Sequence, residues 1–123
     1  MTTQKAAEIS AIQSWHAHVY FSPATRNQAA QLRDWVGERF PRARLGRWHE
    51  EKVGPHTQAM YQIAFENADY AELVPFLALN RHGLAILVHP ETGRERADHT
   101  EHALWMGEVL PVDTSVLREQ VAP

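Results

Sequence analysis

Residues 15–21 read Trp-His-Ala-His-Val-Tyr-Phe, and the fold follows from which way these side chains point. Aromatic and β-branched residues interleaved with polar ones mark a strand. Successive side chains of a strand point to opposite faces. Ala17, Val19 and Phe21 therefore share one face, and His16, His18 and Tyr20 share the other. The first face is apolar and predicts a core. The second carries two imidazoles on a surface that something must cover. Pro23 ends the segment.

The flanking sequence supplies the partners of this strand. Residues 23–40 read as a helix that Ser22 or Thr25 could cap, with Ala29, Leu32, Trp35, Val36 and Phe40 as its apolar stripe. Residues 42–51 form a more polar second strand, and Gly54-Pro55 marks the turn after it. Residues 58–65 are a third strand, with Tyr61, Ile63 and Phe65 on one face and Met60, Gln62 and Ala64 on the other. Residues 67–80 are a second helix, capped by Asn67 or Asp69, striped by Tyr70, Leu73, Phe76 and Leu77, and interrupted by Pro75. After an Arg81-His82-Gly83 turn, residues 84–89 are a fourth, nearly all-apolar strand, stopped by Pro90.

The order strand-helix-strand-strand-helix-strand is the split βαβ, or ferredoxin-like, pattern. It predicts an α+β fold, an antiparallel sheet in the order 4-1-3-2, and both helices on one face. The chain is expected to be a single domain over residues 1–123, with a flexible N-terminus at 1–13. A C-terminal extension at 91–123, or a second subunit in a homodimer, is expected to shield the open face.

Composition narrows the chemistry. The 123 residues suffice for one domain that buries roughly two thirds of its unfolded surface. No cysteine is present, which excludes disulfides, thiolate metal sites and cysteine nucleophiles. A net charge of -3 gives no footprint for nucleic acid. No apolar run approaches the roughly 18 residues of a membrane span, and the first fourteen residues lack the apolar core of a signal peptide. A cytoplasmic location is the expectation. Eight histidines stand out, and histidine is both the commonest metal ligand and the acid/base of neutral pH.

The predicted topology places these histidines. The first and fourth strands are antiparallel neighbours, so His89 at the end of one lies beside His16 and His18 at the start of the other. Residues two apart on a strand are about 6.5–7 Å apart, a spacing from which imidazoles can converge on one ion at about 2.0–2.1 Å. A third histidine from the neighbouring strand leaves open positions, as a catalytic metal requires. The rival reading is a pair of solvated strand histidines. His56 follows Gly54-Pro55 in a loop and suits an acid/base or a substrate contact. His99 and His102, in Asp-His-Thr-Glu-His, share a face if that stretch is helical, and Asp98 or Glu101 could add a carboxylate. His49 and His82 read as surface or turn residues. Arg42, Arg44 and Arg47 read as a solvated edge that could attract a carboxylate-bearing substrate.

Three blocks, His-Ala-His-Val-Tyr-Phe at 16–21, residues 54–65 beginning Gly-Pro-His, and residues 80–113 from Asn-Arg-His-Gly to Pro-Val-Asp, resemble the DOPA 4,5-dioxygenase family. The resemblance spans residues 14–114. It implies a ferredoxin-like fold and a non-haem Fe(II) extradiol dioxygenase that opens a catechol, such as L-DOPA or a related catecholic acid, with O2. Zinc or another divalent metal could occupy the same site. The family's motif histidines fall on His16, His18, His56, His89, His99 and His102. Within them His16, His18 and His89 are the expected metal ligands and His56 and His102 the expected acid/base. Tyr20 and Trp105 are expected to line the ring pocket. His82 departs from the family pattern and receives no role. Two other classes use the same features: a metal-free, dimeric ligand-binding module, and a zinc hydrolase or isomerase.

Overall fold

The computed structural model of the protein describes residues 4–119. Its elements are β1 (Ser14–Phe21), α1 (Arg26–Arg39), β2 (Arg44–Leu45), β3 (Ala59–Phe65), α2 (Asn67–Asn80), β4 (Ile86–Glu91), α3 (Glu95–His99) and β5 (Leu104–Met106). The sheet runs β2-β3-β1-β4-β5 with every pairing antiparallel. The predicted 4-1-3-2 order is therefore present, with a fifth strand from the C-terminal extension added beside β4.

The alternation in β1 decides what lies on each side. Ala17, Val19 and Phe21 join Tyr61, Ile63, Phe65, Ile86 and Val88 in a core that Ala29, Leu32 and Val36 of α1 and Leu73 and Leu77 of α2 complete. Each fully buried leucine there contributes roughly 1.5–3 kcal/mol of transfer free energy. Tyr61 is buried in this core because its hydroxyl donates to the Ala29 carbonyl at 2.9 Å, so no polar atom is stranded.

The opposite face is covered by the extension. Ala103, Trp105 and Leu110 pack on Tyr20, Met60, Ala85 and Leu87. The face expected to need a lid receives one from its own chain, so an uncovered sheet is no longer an argument for a second subunit.

Several local expectations change. The second strand is two residues rather than ten, followed by a single bridge between His49 and Met60. Pro90 does not stop β4. It pairs with Trp15, and β5 has already ended at the level of Val88, so the missing N–H leaves no ladder bond unmade. The helix α2 starts after Glu66 with no side-chain cap. Asn67 instead accepts from Trp15 Nε1 at 2.8 Å and donates to the Ile12 carbonyl at 3.1 Å. Ser22 and Thr25 form a reciprocal capping box at the turn before α1, as their spacing suggests. The N-terminal segment expected to be flexible holds a 3-10 turn at Ile9–Ala11, and the Gln13 N–H donates to the Glu91 carbonyl. Residues 1–3 of that segment, and 120–123 of the extension, lie outside the described residues. Among the described residues no helix is long and apolar enough to cross a membrane.

Candidate metal centre

The register between β1 and β4 puts His16 directly opposite His89 and His18 opposite Leu87. All three imidazoles stand on the face away from the helices. The loop before β3 brings in His56, and α3 brings in His99. Two groups, His16-His18-His89 and His18-His56-His99, each gather their nitrogens within 4.8 Å of one another, with His18 common to both. The ring centres of His18 and His56 are 4.1 Å apart, and those of His89 and His99 are 4.0 Å apart.

Hydrogen bonds to the other ring nitrogen decide what each imidazole can do. His16 Nδ1 lies 2.9 Å from Glu91 Oε1, His89 Nδ1 lies 2.9 Å from the Pro90 carbonyl, and His99 Nδ1 lies 2.8 Å from the Glu95 carbonyl. Each of these partners only accepts, so each Nδ1 carries the proton and each Nε2 presents a lone pair. His56 differs. Its Nδ1 lies 2.6 Å from the Tyr20 hydroxyl, which has no other acceptor among the described residues. A buried hydroxyl donates where it can, so Nδ1 of His56 accepts and its Nε2 carries the proton. His56 is a donor to the cavity, whereas His16, His89 and His99 are ready to ligate.

His18 Nε2 and His89 Nε2 are 3.0 Å apart. Two nitrogens about 2.1 Å from one ion at a right angle stand about 3.0 Å apart. Nδ1 of His18 is buried with no partner among the described residues. A polar cluster this short of donors suits a cation.

Burial sets the charge state. His18 is held well below the ordinary histidine range, first by burial and then by the neighbouring imidazoles, His56 foremost. His56 is pushed down to about 3 and His89 to about 4, again by burial first and by His99 second. His18, His56 and His89 are therefore neutral at pH 7, the form that binds metal. Burial pushes the Tyr20 phenol upward, so it keeps its proton. For Glu91 burial acts upward, but the hydrogen bond from His16 outweighs it and the carboxyl is lowered.

A cavity of about 570 Å³ opens over this cluster. Its walls include His16, His18, His56 and His99 together with His49, Arg47 and Glu91. Arg42 and Arg44 pair with Asp69 and Glu66. Arg47 has no hydrogen-bond or ion-pair partner among the described residues, which leaves a free guanidinium at the cavity wall.

The structure brings together His16, His18, His89 and His56 of the expected site, and it separates three others. His102 lies outside the cavity. The helix α3 ends at His99, so the helical spacing that would align His102 with it stops there. His102 Nδ1 instead donates to Asp98 at 2.9 Å, and Asp98 also holds Thr92. Asp98 is thus committed to the loop, and Glu101 is exposed, so neither faces the cluster. Tyr20 is 3% exposed and reaches the cavity only through His56. Trp105 stacks on Tyr20 with ring centres 5.8 Å apart and does not line the cavity. His82 sits in the turn before β4, at φ 48°.

Glu91 was not singled out for the site, and His99 stood among the family's motif histidines with no ligand or acid/base role assigned. Glu91 follows from the alternation alone, since it is two residues beyond His89 and shares its face. It was missed because Pro90 was taken as the end of the strand. His99 carried two signals, its spacing to His102 and its place among the family's motif histidines, but neither fixed its role.

A model of the Dopa 4,5-dioxygenase family matches residues 15–116. The chain belongs to the DOPA 4,5-dioxygenase family. The match takes in every histidine of the cluster. A "DOPA 4,5-dioxygenase" of Amanita muscaria is 35% identical over 116 residues, and an uncharacterized 21.2 kDa protein of Botryotinia fuckeliana is likewise 35% identical over 116 residues. These matches cover 88% and 85% of this chain. The chain spans only 51% and 63% of the length of those two family relatives. The crystal structure of a candidate dioxygenase from Nostoc punctiforme superposes with a TM-score of 0.87 at 44% identity, over 89% of this chain and 95% of that one.

Proposed function

We propose that this member of the family is a metal-dependent extradiol dioxygenase that uses Fe(II) and O2 to open the ring of a catechol, L-DOPA or a related catecholic acid. The observation that supports it best is the convergence of His16, His18 and His89, with the His18 and His89 Nε2 atoms 3.0 Å apart, beneath a cavity of about 570 Å³. Those three imidazoles would hold the ion. The donor set departs from the usual two histidines and one carboxylate of non-haem Fe(II) sites, because Glu91 is turned to His16 and Asp98 to Thr92 and His102. Held by these residues, Fe(II) would supply the redox chemistry that lets a catechol react with O2.

The remaining residues orient substrate and handle protons. Glu91 fixes the His16 ring by accepting from its Nδ1. Arg47 takes the carboxylate of a catecholic acid by a charge-assisted hydrogen bond. His56 presents Nε2–H to the bound substrate as a hydrogen-bond donor that stabilises developing negative charge on oxygen, and Tyr20 holds it in that tautomer. His99 lies across from His56 and can accept the catechol proton at Nε2.

The test is to load the purified protein with Fe(II) under anaerobic conditions, add L-DOPA, caffeate or protocatechuate, and admit air. The proposal expects a yellow ring-opened product, one O2 consumed per catechol, and silence from the zinc-loaded protein. Turnover with zinc in the absence of O2 would instead establish a hydrolase or isomerase. No product from any of the three catechols would remove the proposed substrate class.

A further inference from the structure

A second cavity, of about 390 Å³, lies behind the histidine cluster. It sits between the N-terminal segment and the end of β4. Trp15 and Pro90 in its wall are register partners that alternate with His16 and His89. Alternation places them on the opposite face of the sheet, so the two cavities are back to back and do not share lining residues.

The wall of this cavity is mainly apolar, from Ile9, Ile12, Trp15 and Pro90, with a few polar groups converging on it. One is His102. Asp98 is 1% exposed and is fixed by the Thr92 N–H at 2.8 Å and the Thr92 hydroxyl at 2.7 Å. It accepts from His102 Nδ1 and so turns the other ring nitrogen, Nε2, into the free acceptor at the cavity wall. Another is Arg94, whose side chain has no hydrogen-bond or ion-pair partner among the described residues. Glu8 lines the same cavity and opposes a second negative charge. The volume falls within the range of about 300–1,000 Å³ usual for small-molecule sites, and an apolar wall with a few placed polar groups is their usual make-up.

We infer that this cavity is a second ligand site, for a small aromatic monocarboxylate. The ring lies among Ile9, Ile12, Trp15 and Pro90, the carboxylate on Arg94, and a ring hydroxyl donates to His102 Nε2. The inference is independent of any metal and of the proposed dioxygenase activity.

Titration calorimetry on the metal-free 123-residue chain tests it, with phenylacetate and 4-hydroxyphenylacetate as probes. Saturable one-to-one binding is expected, tighter for the hydroxylated acid. Arg94 is exposed, so Arg94→Ala keeps the fold and is expected to weaken both acids about tenfold or more. His102→Ala is expected to weaken only the hydroxylated acid, and thermal unfolding of that variant checks that it remains folded. Arg47→Ala, in the other cavity, is expected to change neither. 4-Hydroxyphenyl phosphate, a dianion, is expected to bind more weakly than the acid. Absence of saturable binding up to about 10 mM, or binding indifferent to Arg94→Ala, overturns the inference. So does binding abolished by Arg47→Ala, which would put the acid in the histidine cavity.

Discussion

Replacing Tyr20 by phenylalanine removes one hydroxyl and nothing else from the wall beside His56. That hydroxyl is 2.6 Å from His56 Nδ1 in a buried setting, and it is the group that keeps the proton on Nε2. Without it, Nδ1 is a buried nitrogen lacking a donor, which costs about 1–3 kcal/mol of stability. The ring is also free to move its proton to Nδ1, and the cavity then loses its donor. Removing one preorganised hydrogen-bond donor costs about 10²–10³-fold, so kcat of Tyr20→Phe is expected to fall by about 10²-fold with KM little changed. His56→Ala should fall at least as far, and the double variant no further, since Tyr20 acts through His56. Nitrogen-15 imidazole spectra give a readout independent of turnover: His56 should carry its proton on Nε2 in the native protein and lose that preference in Tyr20→Phe. Native His56 protonated on Nδ1, or a double variant whose losses add, would refute the reasoning.

Three further outcomes follow from the same geometry. In the metal-free protein, His56 and His89 are held at about 3 and about 4, below an unfolded value of about 6.5. Between those values the unfolded chain binds more protons, so stability is full above about pH 6.5 and falls as pH drops towards 3–4. At pH 5.5 the two histidines together should cost about 3 kcal/mol relative to pH 7.5, measured by urea denaturation in the presence of a chelator, and an unchanged midpoint would contradict the neutral buried cluster. Arg47→Ala should raise KM about tenfold for a catechol bearing a carboxylate and leave catechol itself unaffected, as steady-state kinetics on the pair will show. Asp98→Ala strips the partner from Thr92 and His102 and should destabilise the fold by about 3 kcal/mol, read by chemical denaturation, while leaving the metal stoichiometry unchanged.

Much of the site was legible before any coordinates, because one rule carried it. Period-two alternation on β1 assigned Ala17, Val19 and Phe21 to the core and His16 and His18 to the other face, and antiparallel topology then brought His89 to His16. The same rule reaches Glu91 once β4 is allowed to continue past Pro90. A proline without a neighbour on its donor side breaks nothing, and only the structure shows that β5 stops short of it. The extension resisted sequence reading for a different reason. A five-residue helix and a three-residue strand contain too few residues to display a period, so α3, β5 and with them the position of His99 depend on tertiary packing. His102 was misplaced because helical spacing was carried one turn beyond the end of α3. Tyr20 and Trp105 were expected in the ring pocket as part of the family reading, not from their own pattern. Tyr20 is buried because Ala103, Trp105 and Leu110 of the returning extension pack on it.

The central claim is that His18 anchors a metal shared with His16 and His89. Titration of the metal-free protein with Co(II), followed by visible absorption and elemental analysis, tests it directly in the native chain and in His18→Ala. The account predicts one equivalent of metal with a d–d spectrum in the native protein and loss of both in a folded His18→Ala variant. A folded native protein that takes up no stoichiometric metal, or a His18→Ala variant that binds one equivalent with an unchanged spectrum, would contradict it.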